Sequence, residues 1–249
     1  MTRKILKGTS IALLVILAIF LPVQIFMEAC SPITQNIQAS PYTEVLKIGP
    51  VIRVRRQPTI VPSKRIALTF DDGPDARNTA KILDILKEEN ISATFFLVGE
   101  RVGHYPTVVK RIFNEGHLIA NHSQSHQDLE GLTNEEIIRL ELDPTSRAVE
   151  KLTGFYPMIM RPPYGALRMD SVEYLNKAGW KIVRWSLDTF DWDNTRNKPE
   201  EIINRVLDQH HPNAIILMHC NGPTTINALP GVIHTLRDLG YHFYTVDQL

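Results

Sequence analysis

From Ile66 to the end of the 249-residue chain, short apolar runs alternate with longer amphipathic stretches, and this restricts the fold more than any other feature. The runs lie at 66–70 (IALTF), 93–98 (ATFFLV), 117–121 (HLIAN), 158–161 (MIMR), 180–186 (WKIVRWS), 214–218 (AIILM) and 242–246 (HFYTV). Between them, 77–89, 105–115, 133–152, 169–178, 199–210 and 224–239 carry apolar residues at three-to-four spacing, such as Ile82, Ile85, Leu86 and Val232, Ile233, Leu236, Leu239. That spacing predicts helices with one buried face. Thr133 with Glu136 gives a capping-box start, and Gly240 stops the last helix. Strand–helix alternation predicts parallel strands joined by crossover helices. An incomplete β/α barrel or a doubly wound sheet would suit, and both put functional groups at the C-terminal ends of strands.

Composition sets the outer limits. With 43% hydrophobic and 22% charged residues the chain can bury one sizeable core. A formal net charge of zero gives no general reason to expect nucleic acid as a partner. Two cysteines, Cys30 and Cys220, exclude a disulfide framework and a Cys-rich metal site. Arg3, Lys4 and Lys7 precede an uncharged stretch from Gly8 to Met27 centred on IALLVILAIFL. Residues 1–30 therefore read as a signal peptide or, at about 20 residues, a membrane anchor; Met27-Glu28-Ala29-Cys30 loosely resembles a lipoprotein cleavage box. In each case the rest of the protein is exported. Residues 31–64, with five prolines, read as a linker. Its basic end (Arg53, Arg55, Arg56, Lys64, Arg65) is a solvated tether or an attraction to anionic lipid or wall polymer. The globular domain is 65–249, expected to be a monomer.

Polar residues follow five of the strand candidates. They are Asp71 and Asp72 in TFDDGP, His122 and His126 in HSQSH, Arg161 to Tyr164 in RPPY, Asp188 to Trp192 in DTFDW, and His219 closing LMH. Parallel strands would bring them to one rim. Adjacent aspartates repel unless something positive sits beside them. His122 and His126, four apart, share a face if they lie on one helical turn, with Cβ atoms about 5–6 Å apart. Joined by a carboxylate, they give the three N/O ligands and open position of a catalytic Zn²⁺ site; Co²⁺, Ni²⁺ and Mn²⁺ remain compatible. One aspartate can ligate the ion while its neighbour acts as general base toward a water whose pKa the ion lowers to about 7. Arg161 is the candidate for holding that base ionised and oriented. His219 can supply a proton if a carboxylate keeps it charged, and Asp188 and Asp191 are both available. Of Pro163 and Tyr164 only Tyr164 has a backbone N–H to offer an oxyanion. Tyr164 and Trp192 are candidate sugar-stacking walls, whereas Trp180 and Trp185 read as core. His104, His117, His210, His211, His234 and His242 lack ligand spacing and read as structural or surface residues.

In this order and spacing, TFDDGP, HSQSH, RPPYG, DTFDW and LMH resemble the five motifs of polysaccharide deacetylases with a NodB-homology domain, carbohydrate esterase family 4. The resemblance spans about Arg65 to Leu249. It implies an α/β fold, a distorted (β/α)7 barrel (NodB-like), here preceded by the N-terminal apolar segment. It implies that Asp71 is the catalytic base and that Asp72, His122 and His126 are the metal ligands. Arg161 then orients the base, and Asp191 holds the catalytic acid His219. Tyr164 lends its N–H to the oxyanion, Trp192 lines the groove and Leu217 walls the acetyl-methyl pocket. Many relatives carry Asp after the last histidine where this chain has Cys220, which bears on substrate contacts rather than on chemistry.

The expected function is metal-dependent N-deacetylation of N-acetylglucosamine-type sugars in an extracellular polymer, peptidoglycan or a chitin oligosaccharide. Membrane contact is expected through the N-terminal segment only. Three other readings stay open: O-deacetylation of xylan, deacylation of small amides by the same chemistry, and a non-catalytic glycan-binding module, against which intact Asp71 and His219 speak.

Overall fold

The computed structural model describes residues 64–249 apart from residue 221, together with the backbone of two strands, β1 (Thr43–Ile48) and β2 (Val51–Arg56). These two pair antiparallel, Thr43 opposite Arg56, inside the stretch read as linker. Residues 1–30, Cys30 among them, and the remainder of the linker lie outside the described residues. No helix among the described residues is long and apolar enough to cross a membrane.

The second unit is the α/β body. Strands β3 (Arg65–Gly73), β4 (Thr94–Leu97), β5 (Leu118–Asn121), β6 (Ile159–Met160), β7 (Lys181–Ile182), β8 (Leu187–Asp188) and β9 (Ala214–His219) form a parallel sheet in the order β7-β6-β5-β4-β3-β9-β8. A last strand, β10 (His242–Phe243), pairs with the start of β3. The two outermost strands of that order, β7 and β8, are only four residues apart in the chain, so the sheet curls instead of lying open. The chief crossover helices are α1 (Asn78–Glu88), α2 (Gly99–Val102), α3 (Pro106–Asn114), α4 (Asn134–Glu136), α5 (Asp143–Thr153), α6 (Met169–Lys177), α7 (Pro199–Gln209) and α8 (Pro223–Asp238). The capping box forms as expected: Thr133 Oγ1 accepts from Glu136 N and Glu136 Oε2 accepts from Thr133 N.

Period-two alternation sorts the strand side chains into two layers. On β3, Ile66, Leu68 and Phe70 join the main core with α1 and α8, while Ala67 belongs to a smaller cluster with Phe96, Ala120 and Val183. On β9, Ala214, Ile216 and Met218 join the main core, and Ile215 packs on the smaller one. The inner column of β3 therefore runs Ala67, Thr69, Asp71, and that of β9 Ile215, Leu217, His219. Each turns from apolar to polar toward the C-terminal end.

The structure corrects three of the expected elements. The strand expected at 180–186 is regular only over Lys181–Ile182 (β7), and pairing resumes just past it at Leu187–Asp188 (β8). Between them, the carbonyls of Val183 and Arg184 accept hydrogen bonds from the buried Arg161 guanidinium (both 3.2 Å) and not from a neighbouring strand. The strand expected at 242–246 is regular only over His242–Phe243. The helix expected at 133–152 widens into a π-helical turn at Ile137–Leu142 between α4 and α5.

Candidate active site

Asp71 stands opposite His219 in the β3–β9 register. Strict alternation would send Asp72 to the opposite face. Instead β3 carries one extra residue against β4: Phe70 pairs with Phe95 but Gly73 with Leu97, and Asp72 has φ of 64°. This bulge lets both carboxylates line the same cavity. Gly73 must be small, because a Cβ there would lie 2.9 Å from Cys220 Sγ and 3.2 Å from Leu97 Cδ2. Cys220 is thus packed beneath the bulge, fully buried, and burial pushes its thiol well up.

Arg161 is fully buried and supplies the first positive charge. Its Nη1 donates to Asp71 Oδ1 (2.7 Å) and to Thr69 Oγ1 (2.9 Å). Its guanidinium lies 4.0 Å from the centre of the Phe96 ring. With Nε and Nη2 committed to Val183 and Arg184, the group cannot swing, so Asp71 is held in one orientation.

His122 and His126 do come together, but not on a helical turn. They bracket an irregular loop in which Ser123 and His126 both have left-handed φ, 66° and 60°. Ser123 Oγ accepts from His126 N, and Asn121 Oδ1 accepts from Ser123 N, both at 2.9 Å. The rings end 5.0 Å apart. Asp72 Oδ1 lies 3.0 Å from His126 Nε2 and 3.4 Å from His122 Nε2. The ligand atoms of all three residues fall within 4.8 Å of one another. His122 Nδ1 sits 2.8 Å from the Arg161 carbonyl; donating there leaves Nε2 as a lone pair toward Asp72, the orientation a metal-binding imidazole needs. Burial works against a charge on Asp72, but hydrogen bonding to His122 and His126, with the charges of His122 and His219, holds its carboxyl well below the usual carboxylate range. Two imidazole nitrogens and one carboxylate oxygen converging beside a cavity fit a divalent ion such as Zn²⁺.

Across the cavity, His219 Nδ1 and Asp191 Oδ1 are 2.7 Å apart, and Asp191 Oδ2 accepts from His219 N at 2.7 Å and from Thr225 Oγ1 at 2.5 Å. Burial lowers the imidazole's proton affinity, but the bond to Asp191 and its charge, aided by Asp71 and Asp72, raise the pKa to about 9. Of the two carboxylates the sequence offered, Asp191 takes this place. Asp188 Oδ1 instead accepts from Phe190 N (2.7 Å), and Asp188 lines the cavity.

The cavity, about 430 Å³, is also lined by Leu217, Pro162, Tyr164, Trp185 and Trp192. Tyr164 (71% exposed) has φ of 58° and sets its ring edge-on to His126, and Trp192 is 54% exposed. Trp180 is core, as expected. Trp185 is not: it forms cavity wall and packs where a Cβ on Gly165 would come within 2.9 Å of its ring. Its place follows from the split of the fifth strand, which periodicity does not reveal. Thr225 and Glu141 also escaped the sequence reading, because their partners lie 34 and 14–17 residues away.

Residues 59–183 match the polysaccharide deacetylase family. A peptidoglycan-N-acetylglucosamine deacetylase of Bacillus cereus is 39% identical over 188 residues, 74% of this chain and 67% of the relative. A Bacillus subtilis peptidoglycan-N-acetylmuramic acid deacetylase, PdaC, is 38% identical over 200 residues, 80% of this chain but only 42% of the relative, so less than half of that protein is matched. The crystal structure of the Bc1960 peptidoglycan N-acetylglucosamine deacetylase superposes with a TM-score of 0.71 at 38% identity, covering 76% of this chain and 89% of the other. With its rim built from the ends of parallel strands and its sequence matched at this level, the chain belongs to the polysaccharide deacetylase family, carbohydrate esterase family 4.

Proposed function

We propose that the protein is a metal-dependent N-deacetylase of peptidoglycan. It would act in the cell envelope after export on the N-terminal segment, and remove acetyl groups from N-acetylglucosamine or N-acetylmuramic acid. The observation that carries this reading is the placement, around one cavity, of a clamped carboxylate (Asp71), a three-donor cluster (Asp72, His122, His126) and a carboxylate-held imidazole (His219). The relatives' peptidoglycan substrates support the polymer class. Counting Lys181 to Asp188 as one bent strand, the curled sheet is read as the distorted (β/α)7 barrel.

Held by Asp72, His122 and His126, a divalent ion, Zn²⁺ by preference, would supply Lewis acidity to lower the pKa of a water and to polarise the acetyl carbonyl. Asp71 takes the proton of the attacking water, aimed by Arg161. The Tyr164 N–H is the backbone donor on offer to the oxygen that gains charge, and Leu217 accommodates the methyl. With Nδ1 engaged by Asp191, His219 gives its proton from Nε2 to the departing nitrogen. The C–N bond breaks, and acetate and a free amine leave. Trp192 and Tyr164 present faces on which sugar rings stack.

The test is acetate release from purified peptidoglycan by the full-length protein, with added Zn²⁺ and with chelator, beside chitin oligosaccharide and acetylated xylan. Chelator-sensitive release from peptidoglycan is expected. Release from xylan alone would move the reaction to O-deacetylation. Binding of glycan without release from any polymer, metal being bound, would make the chain a glycan-binding module.

A further inference from the structure

Besides Asp71 and Asp191, one more carboxylate lies buried among the described residues, behind the histidine loop and outside the catalytic machinery. Glu141 is 3% exposed, and no ion pair reaches it among the described residues. A buried carboxylate is costly unless hydrogen bonds satisfy it. Those of Glu141 all come from the loop that carries the histidines. Oε2 accepts from the backbone N–H groups of Gln124 and Ser125, both at 2.9 Å, and Oε1 accepts from Ser125 Oγ at 3.0 Å and Gln127 Nε2 at 2.5 Å. Two of these residues stand between the metal-ligand candidates, and the third follows His126.

The helix is distorted where it delivers this group. At the α-helical turn of about 100° per residue, Leu142 would point about 140° away from Ile137. Yet Ile137, Glu141 and Leu142 are all buried, which the wider π-helical turn at Ile137–Leu142 allows. The same stretch grips the loop's root: Asn121 Nδ2 donates to the Leu142 carbonyl (2.8 Å) and Thr145 Oγ1 to Gln124 Oε1 (3.1 Å). From the other side, Gly99 N and Glu100 N donate to the carbonyls of Ser123 and Gln124.

We propose that Glu141 is a positioning residue for the metal site: through four hydrogen bonds it fixes the left-handed loop that sets His122 and His126 at their spacing. Glutamine at 141 keeps one oxygen for the Gln124 and Ser125 N–H groups, but puts an NH2 where Ser125 Oγ and Gln127 Nε2 now donate and removes the charge that strengthens all four bonds. Loss of partners outside the ligand set costs metal sites about 10–100-fold in affinity.

Resting as it does on the metal-dependent reading, this role is tested by Zn²⁺ affinity in competition with a chromophoric chelator, on wild type and Glu141→Gln. The Co²⁺ absorption spectrum and apo-protein melting are followed in parallel. Expected is a loss of Zn²⁺ affinity of about tenfold or more with a changed Co²⁺ spectrum. Should Glu141→Gln not fold, Ser125→Ala combined with Gln127→Ala removes loop-side donors at exposed positions and should weaken Zn²⁺ several-fold. Wild-type binding with unchanged affinity and spectrum in the folded variants would overturn the role of Glu141 alone. Absence of Zn²⁺ binding by the wild type would instead sink the metal reading and this role with it.

Discussion

Two histidines, His219 half-buried and His117 buried, sit at opposite ends of the sheet and behave in opposite ways. His219 closes β9 at the rim, where the pKa is raised to about 9 against the pull of burial. His117 precedes β5 at the other end, where burial drives the pKa down to about 4, with Glu115 opposing only weakly. The ring of His117 packs edge-on to Phe95, and its Nδ1 accepts from the Ala93 N–H at 3.2 Å, a bond only the neutral form can take. What separates the two is a carboxylate at hydrogen-bond distance. The bulged end of β3 and the loop after β8 deliver Asp71, Asp72 and Asp191 to one end. Elementary electrostatics then keeps one histidine charged and the other neutral.

The sharpest break of the rim should come from Asp71→Asn. The amide keeps the shape but cannot accept a proton, so kcat should fall by about 10³-fold, or roughly 4 kcal/mol. The three-donor cluster remains, and Zn²⁺ should still bind. Arg161 would stay buried without its counter-charge, so stability should also fall, by up to about 3 kcal/mol. Full turnover in this variant would remove Asp71 from the role of base.

Asp191→Asn tests the pair that sets His219 apart from His117. In the proposed mechanism protonated His219 is the active form, so wild-type activity should decline as pH rises through about 9. Without the aspartate's charge the alkaline limb should move down by about two pH units, toward the ordinary imidazole value, with kcat lower by about 10²-fold. A limb unmoved in Asp191→Asn would mean that another group supplies the proton.

How much of this was legible in the sequence differs between the ends. Period two alone places Asp71 and His219 inward on neighbouring strands, and the helix bounds at 78–88 or 199–209 lie within a residue of their periodic patterns. What periodicity cannot carry is a break in period. The bulge that turns Asp72 inward, the left-handed loop between His122 and His126, the split of the fifth strand beside Arg161 and the π-helical turn that delivers Glu141 are all local departures from repeat geometry. All four lie at the rim. The motif order identified these residues, but the geometry that joins them needed tertiary contacts, since Arg161 reaches Asp71 across 90 residues. The choice of Asp191 over Asp188 is of the same kind: both are aspartates of one motif, and only the path through the left-handed Phe190 (φ 53°) decides which one meets His219.

The smallest effect expected lies at the quiet end, and it concerns stability alone. Unfolded, His117 takes up a proton near its ordinary value of 6.5; folded, it does not do so until about pH 4. Above about 6.5 both states carry it neutral, and its contribution is fully present. As pH falls from there toward 4 the unfolded chain binds a proton that the folded protein refuses, so stability declines, by of order 3 kcal/mol across the window. His117→Asn keeps a neutral acceptor near the Ala93 N–H and has no such proton to take. Urea unfolding at pH 8, 6 and 4.5 should show the variant slightly less stable than wild type at pH 8, with the gap narrowing or reversing at 4.5. Its deacetylation rate at pH 8 should match wild type, because nothing at this end touches the cavity. An acid slope unchanged by the substitution would show that other groups set the low-pH stability, and that burial at this end does not distinguish His117 from a solvated histidine.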